Sequence, residues 1–109
     1  MKNISVKNHL KEKLKDPYFK EIYEIEQQKF KIVRMIIDYR IKHNLNQKQL
    51  AQKVGVTQQY ISKIENGIFS SIMSLEKVLL AIGYTMQINA KPLPPKIRKH
   101  ISEALMEQE

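Results

Sequence analysis

Residues 40–67 read RIKHNLNQKQLAQKVGVTQQYISKIENG, and their side chains lay out two short helices joined by a tight turn. Asn44 ends the helix before it, because Asn tolerates the left-handed conformation, and Leu45 anchors the connection in the core. Asn46 with Gln49 three residues later has the form of a capping box, so a helix opens there. Leu50, Ala51 and Val54 give that helix a buried stripe, and Gly55 closes it. Val56 points inward and Thr57 is a favoured N-cap. Ile61 and Ile64 then supply the apolar face of a second helix, which Asn66 and Gly67 terminate. Two short helices at such a turn are helix-turn-helix geometry.

The pattern continues on both sides. Ser70 or Ser71 can cap a further helix whose Leu75, Val78, Leu79 and Ile82 stripe closes the core before Gly83. Tyr84, Met86, Ile88 and Ala90 then alternate with Thr85, Gln87 and Asn89, which predicts a half-buried strand over 84–90, paired with its twin across a dimer axis. Pro92, Pro94 and Pro95 make a stiff spacer, and Ile97, Ile101, Ala104 and Leu105 predict a last helix over 96–108. Upstream, Asp16 and Pro17 form a helix start, Asp as N-cap and Pro at the first helical position. Phe19, Ile22, Tyr23 and Phe30 follow at helical spacing, then Phe30, Val33, Ile37 and Ile41, as one long helix or two that break near 26–29. Residues 1–15, with Ile4, Val6, Leu10 and Leu14 among five lysines, predict a short or frayed helix.

The expected fold is thus mostly α. A helix-turn-helix bundle of about five helices carries an N-terminal helical extension, one C-terminal strand and a C-terminal helix. The expected divisions are 1–29 for the extension, 30–83 for the helix-turn-helix domain, and 84–109 for the strand, spacer and last helix. A chain of 109 residues that is 42% hydrophobic, with no Trp, no Cys, 3 Gly and 4 Pro, suits such a bundle better than a sandwich. The absence of Cys excludes a disulfide scaffold and any Cys-based metal or redox site. The longest apolar run, 78–82, is far below the roughly 20 residues a membrane span needs, which implies a soluble, cytoplasmic, nucleoid-associated protein with no membrane contact.

The net charge of +8 is uneven, since residues 31–66 carry 7 Lys/Arg against 2 Asp/Glu. A basic middle third points toward nucleic acid or simply to solubility. Residues 16–26 run the other way: Asp16, Glu21, Glu24 and Glu26 stand against Lys20 alone. That stretch is either a solvated helix face or a docking surface for a basic partner.

Gln47, Leu50-Ala51, Gly55-Val56, Ile61-Ser62, Ile64-Glu65 and Gly67 together resemble the signature of the Xre-type helix-turn-helix family, to which the phage 434 repressor and Cro belong. The resemblance covers about a quarter of the chain without a gap. It implies a DNA-binding regulator of double-stranded operator DNA, working as a homodimer on half-sites about one helical turn apart. The residues support that reading physically. Past Thr57, the side chains Gln58, Gln59, Ser62 and Lys63 lie clear of the Ile61 and Ile64 face. Gln can bond an adenine edge through N6 and N7, and Lys favours guanine or a phosphate. Gln58 and Gln59 look like the family's base-reading glutamines, whereas Lys63 departs from its pattern. Gln47 matches the family's phosphate-contacting glutamine at a helix N-terminus. Asn66 is a further phosphate candidate, and Lys42 and Lys48 are phosphate candidates or solvated surface. Arg40 and Glu65 match a structural ion pair of the family. Tyr60 either supports the core edge or reaches the sugar-phosphate.

What lies outside the motif resembles HigA-type antitoxins, in which such a domain follows an N-terminal helical segment. That resemblance implies type II toxin–antitoxin function: a small basic RNase toxin of the HigB/RelE kind as partner, and repression of the protein's own operon. The acidic 16–26 stretch gives a docking rationale, with Phe19, Ile22 and Tyr23 as apolar anchors and Glu24 beside them. A stand-alone phage-type repressor without a toxin partner is the alternative, and an adaptor that has lost DNA binding is a third possibility. His9, His43 and His100 are scattered, with no metal-ligand spacing and no P-loop or glycine fingerprint. The sequence therefore predicts no catalytic residue, no metal and no cofactor, and a protein that is not an enzyme.

Overall fold

The structure is a computed structural model that describes residues 2–69 and 71–107, with side chains from residue 6 onward. Among the described residues six helices follow in order: α1 (Lys2–Lys13), α2 (Pro17–Lys42), α3 (Gln47–Val54), α4 (Gln58–Glu65), α5 (Ile72–Ala81) and α6 (Pro95–Glu107). Two compact units divide the chain. One is Gln28–Ile88, and the other joins the segments up to Gln27 and from Asn89.

Local chemistry accounts for the helix ends. Asp16 accepts the Tyr18 N–H at 2.9 Å on its carboxylate, with Pro17 first in α2. Asn46 accepts the Gln49 N–H at 2.7 Å and returns its own N–H to Gln49 Oε1 at 2.8 Å, closing a capping box on α3. Thr57 and Ser71 accept the N–H groups of Tyr60 and Ser74 and so cap α4 and α5. Ser70, the other cap candidate, and Gln108, the expected end of the last helix, lie outside the described residues, as do Met1 and Glu109. α2 runs unbroken through 26–29, so the long apolar pattern is one helix.

Helix α2 stops where Asn44 takes φ 56°, with Leu45 N–H bonded to Arg40 C=O at 3.0 Å. Between α3 and α4, Gly55 adopts φ 85°, and its N–H and that of Val56 both reach Ala51 C=O, at 2.8 and 3.0 Å. A side chain there would strain the backbone even though the space is open, so the turn itself demands glycine.

The core of Gln28–Ile88 is one cluster: Ile36, Leu50, Ala51, Val54, Ile61, Ile64, Leu75, Val78, Leu79 and Ile82. Ile32, Tyr39, Leu45, Val56, Tyr60, Phe69 and Met86 pack around it half-buried. Along α2 the cluster is met by Ile32, Ile36 and Tyr39, while of the expected Phe30, Val33, Ile37, Ile41 series Val33 is buried and Ile37 half-buried. Phe30 and Ile41 are exposed while Ile36 is fully buried.

The expected strand is absent. All six elements are helices, and residues 84–90 form no ladder among the described residues. The physical reason is that α5 satisfies this segment. Tyr84 N–H bonds Leu79 C=O at 2.9 Å, closing the helix end. Glu76 then accepts the Met86 N–H at 2.8 Å and the Thr85 hydroxyl at 2.9 Å. Met86 alone of the alternating apolar set packs on the core, leaving Tyr84 and Ile88 exposed. In the flanking segments, Ile101 is buried and His100 Nε2 lies 3.2 Å from Asp16 Oδ1.

Candidate nucleic-acid interface

Helix α4 is divided lengthwise. Ile61 and Ile64 are fully buried, whereas Gln58, Gln59 and Lys63 are exposed and Ser62 is half-buried. Gln58 and Gln59 occupy the first turn immediately after the Thr57 cap, and Ser62 and Lys63 the next. This is a polar strip about two turns long on a helix whose opposite side is fixed in the core.

The strip is braced at its far end. Arg40, on α2, makes a two-pronged contact with Glu65, the last residue of α4: Nε to Oε2 at 2.7 Å and Nη2 to Oε1 at 2.9 Å. Its third nitrogen, Nη1, donates to Leu45 C=O at 3.1 Å. The Arg40 side chain is 20% exposed and that of Glu65 only 7%, so the pair works largely out of water, where a forked contact is strong and directional. Gln47, first in α3, joins the same carboxylate through Nε2 to Oε1 at 3.3 Å. One buried carboxylate thus ties the end of α2, the start of α3 and the end of α4 together. Gln47 is brought to the end of α4 with part of its amide already engaged.

Asn66 is exposed, and its amide is also engaged. Nδ2 donates to Ser62 C=O at 2.8 Å, and the backbone N–H reaches Ser62 and Lys63 C=O. Its first role is to close α4. Gly67 N–H to Ile64 C=O and Ile68 N–H to Lys63 C=O, both 2.8 Å, complete that end. Tyr60 packs against the core with its hydroxyl shielded from water and without a hydrogen-bond partner. Tyr60 is therefore a core-edge residue. Lys42 and Lys48 are exposed at the end of α2 and the start of α3.

Two basic groups were not singled out from the sequence. Lys29 lies beside the end of α4: its Cε is 3.6 Å from where a Gly67 side chain would begin, and its ammonium sits 5.3 Å from the Phe69 ring centroid. Lys53 donates to Tyr39 Oη at 2.6 Å and lies over that ring. Neither could be read locally, because Lys29 precedes Gly67 by most of α2, α3 and α4.

Phe19, Ile22, Tyr23 and Glu24 fall on the first turns of α2, within the other unit. The Phe19 and Tyr23 rings stack with centroids 6.2 Å apart, Ile22 is 47% exposed, and Glu24 is half-buried. Among the described residues no group of His, Cys, Asp or Glu could hold a metal ion, and no helix is long and apolar enough to cross a membrane.

Two short capped helices, the second with one face in the core and a polar strip outward, define a DNA-binding helix-turn-helix domain. Residues 36–88 match the Helix-turn-helix family model, which supports an Xre/434 Cro-like helix-turn-helix domain in this region. The chain thus carries the DNA-binding domain of a transcription regulator. No solved structure gives a significant match to the chain.

Proposed function

We propose that the protein is a sequence-specific repressor that lays α4 in the major groove of its operator. Gln58 and Gln59 read base edges, Ser62 and Lys63 extend the contact, and Gln47 and Asn66 hold phosphates. The observation that carries this reading is the lengthwise division of α4, a polar strip held rigid by a fully buried apolar one. Gln47 suits a register-setting role because its amide is steadied by Glu65 while the N-terminus of α3 adds its own N–H groups. The protein acts as a homodimer, with the outward side of α5, where Ile72, Met73 and Leu80 are exposed, as the surface between copies.

The repressor serves as the antitoxin of a type II pair, binding a small basic RNase toxin and repressing its own operon in the cytoplasm. The support is the start of α2, where Phe19, Ile22 and Tyr23 stand among Glu21, Glu24 and Glu26. An apolar anchor set interspersed in sequence with carboxylates suits a basic, RNA-handling partner. Purification of the tagged protein from its source cells tests this. A basic protein of about a hundred residues, held in stoichiometric amount and lost from a Phe19→Ala/Tyr23→Ala variant, supports the antitoxin reading. A clean homodimer that shifts its own promoter DNA with no such partner makes the protein a stand-alone repressor.

A further inference from the structure

The cations of 40–66 belong with the helix-turn-helix, but the flanking segments hold a second set. Lys7, Lys11, Lys13 and Lys15 lie on and just after α1; Lys91, Lys96, Arg98 and Lys99 lie on the approach to α6 and its first turns. Charge is sorted by sign in these flanks. Residues 91–100 carry four cations and no carboxylate, and residues 7–15 carry four cations with Glu12 alone. The acids fall elsewhere, in 16–26 and at Glu103, Glu107 and Glu109.

Two contacts gather the basic segments. His100, on the second turn of α6, meets Asp16, the residue that opens α2. Lys13, the last residue of α1, sits 5.5 Å from the Phe19 ring centroid and so folds the end of α1 over the start of α2. Most of the charge is uncommitted. Lys15 pairs with Glu12 and Arg98 reaches only Leu93 C=O at 3.5 Å, whereas among the described residues Lys7, Lys11, Lys91, Lys96 and Lys99 form no ion pair and all are exposed. Helix stability does not explain their placement. α6 has no acidic residue in its first turn, and cations there face the positive end of the helix dipole, which is unfavourable unless an anion sits among them.

We propose that this basic junction is a second DNA-contacting surface, one that grips the phosphate backbone of a duplex without reading its sequence. It rests on the DNA-binding reading of Gln28–Ile88, since a chain that binds a duplex through α4 gains affinity from a second basic segment that meets the same phosphate backbone. Lysine suits the task, since a flexible point charge neutralises phosphate without demanding a fixed geometry.

Anisotropy titration of the full chain with a random-sequence duplex of about 40 base pairs, across a KCl series, tests the surface. Lys96→Gln/Lys99→Gln and Lys7→Gln/Lys11→Gln are compared with the natural chain, with circular dichroism confirming the fold. The slope of log K against log salt becomes shallower by about 1 for each lysine that meets a phosphate, and affinity near 0.1 M salt falls at least about ten-fold. Lys20→Gln, in the acidic stretch, leaves both unchanged. Natural slope and affinity in both double variants overturn the proposal, and tighter binding of a single-stranded RNA than of the duplex overturns its commitment to DNA. Failure of the α4 reading is distinguishable: Gln47→Ala, which that reading expects to weaken every duplex, would then leave binding intact while the lysine variants lost it.

Discussion

Gln28–Ile88 and the segments that flank it divide burial between them very unequally. Among the described residues, eleven of the twelve buried apolar side chains lie in Gln28–Ile88, ten of them in one cluster, and the flanks contribute Ile101 alone. In the flanks, Val6, Ile22, Ile25, Leu105 and Met106 stay exposed, and the Asp16–His100 contact is itself about half exposed. The contrast teaches that the middle of the chain holds the cluster that fixes its own fold, with a largely buried ion pair, Arg40 with Glu65, closed on both sides. Both regions leave apolar side chains exposed, but the flanks do so with almost no buried cluster behind them, and most of their described lysines are free of ion pairs.

The strongest way to break the comparison is to open the central cluster. Leu50→Ala removes a fully buried side chain and costs about 2–5 kcal/mol in urea unfolding, a large share of a small domain's stability. Ile22→Ala on the flank changes stability by about 0.5 kcal/mol or less, and comparable losses at both sites would erase the distinction. Next comes the bracket around α4. Glu65→Ala strands the Arg40 guanidinium and costs about 3 kcal/mol by the same measurement, with Arg40→Ala in the same range. At the interface, Gln58→Ala costs about 1–3 kcal/mol on the cognate operator and relaxes discrimination at one base, whereas Gln47→Ala weakens all sequences alike. Competition titrations with operator and random duplex check this, and Ile22→Ala should leave both affinities as they are.

The smallest effect is confined to the flanks and appears in acid. Partial desolvation disfavours the Asp16 carboxylate, but the Tyr18 N–H, the His100 ring and the Phe19 N–H outweigh it, so the group sits below its ordinary value. A depressed carboxyl contributes stability that is present above its unfolded pKa of about 3.9 and is lost as pH falls through the folded value. Helicity followed by circular dichroism through that range loses this acid limb in Asp16→Asn.

Residues 40–67 were the most legible part because every signal there is local. The Asn46–Gln49 capping box, the Thr57 cap, the Gly55 turn and the Leu50, Ala51, Val54, Ile61, Ile64 stripe each depend on neighbours within four residues. α2 was harder to read. Between Phe30 and Ile41 the apolar residues are so dense that several helical stripes fit, and only the packing of Ile32, Ile36 and Tyr39 against other helices decides among them. The strand expected over 84–90 failed for a related reason. Alternation records which side chains are apolar, but a strand also needs a partner backbone, and Glu76 supplies a non-strand solution from a residue that alternation does not consider. For the site, the order of the polar residues along α4 could be read directly. That Asn66 spends its amide on Ser62 and Gln47 part of its own on Glu65 could not, because both depend on side-chain geometry.

The Glu76 contact has a further consequence for solubility. Tyr84, Met86 and Ile88 spell an alternating apolar run of the kind that, with free backbone groups, recruits a copy of itself into intermolecular sheet. By engaging the Met86 N–H and the Thr85 hydroxyl, one carboxylate withholds part of that template and seats Met86 in the core. Glu76 thereby acts as a gatekeeper against aggregation, a protection that lasts only while α5 remains folded.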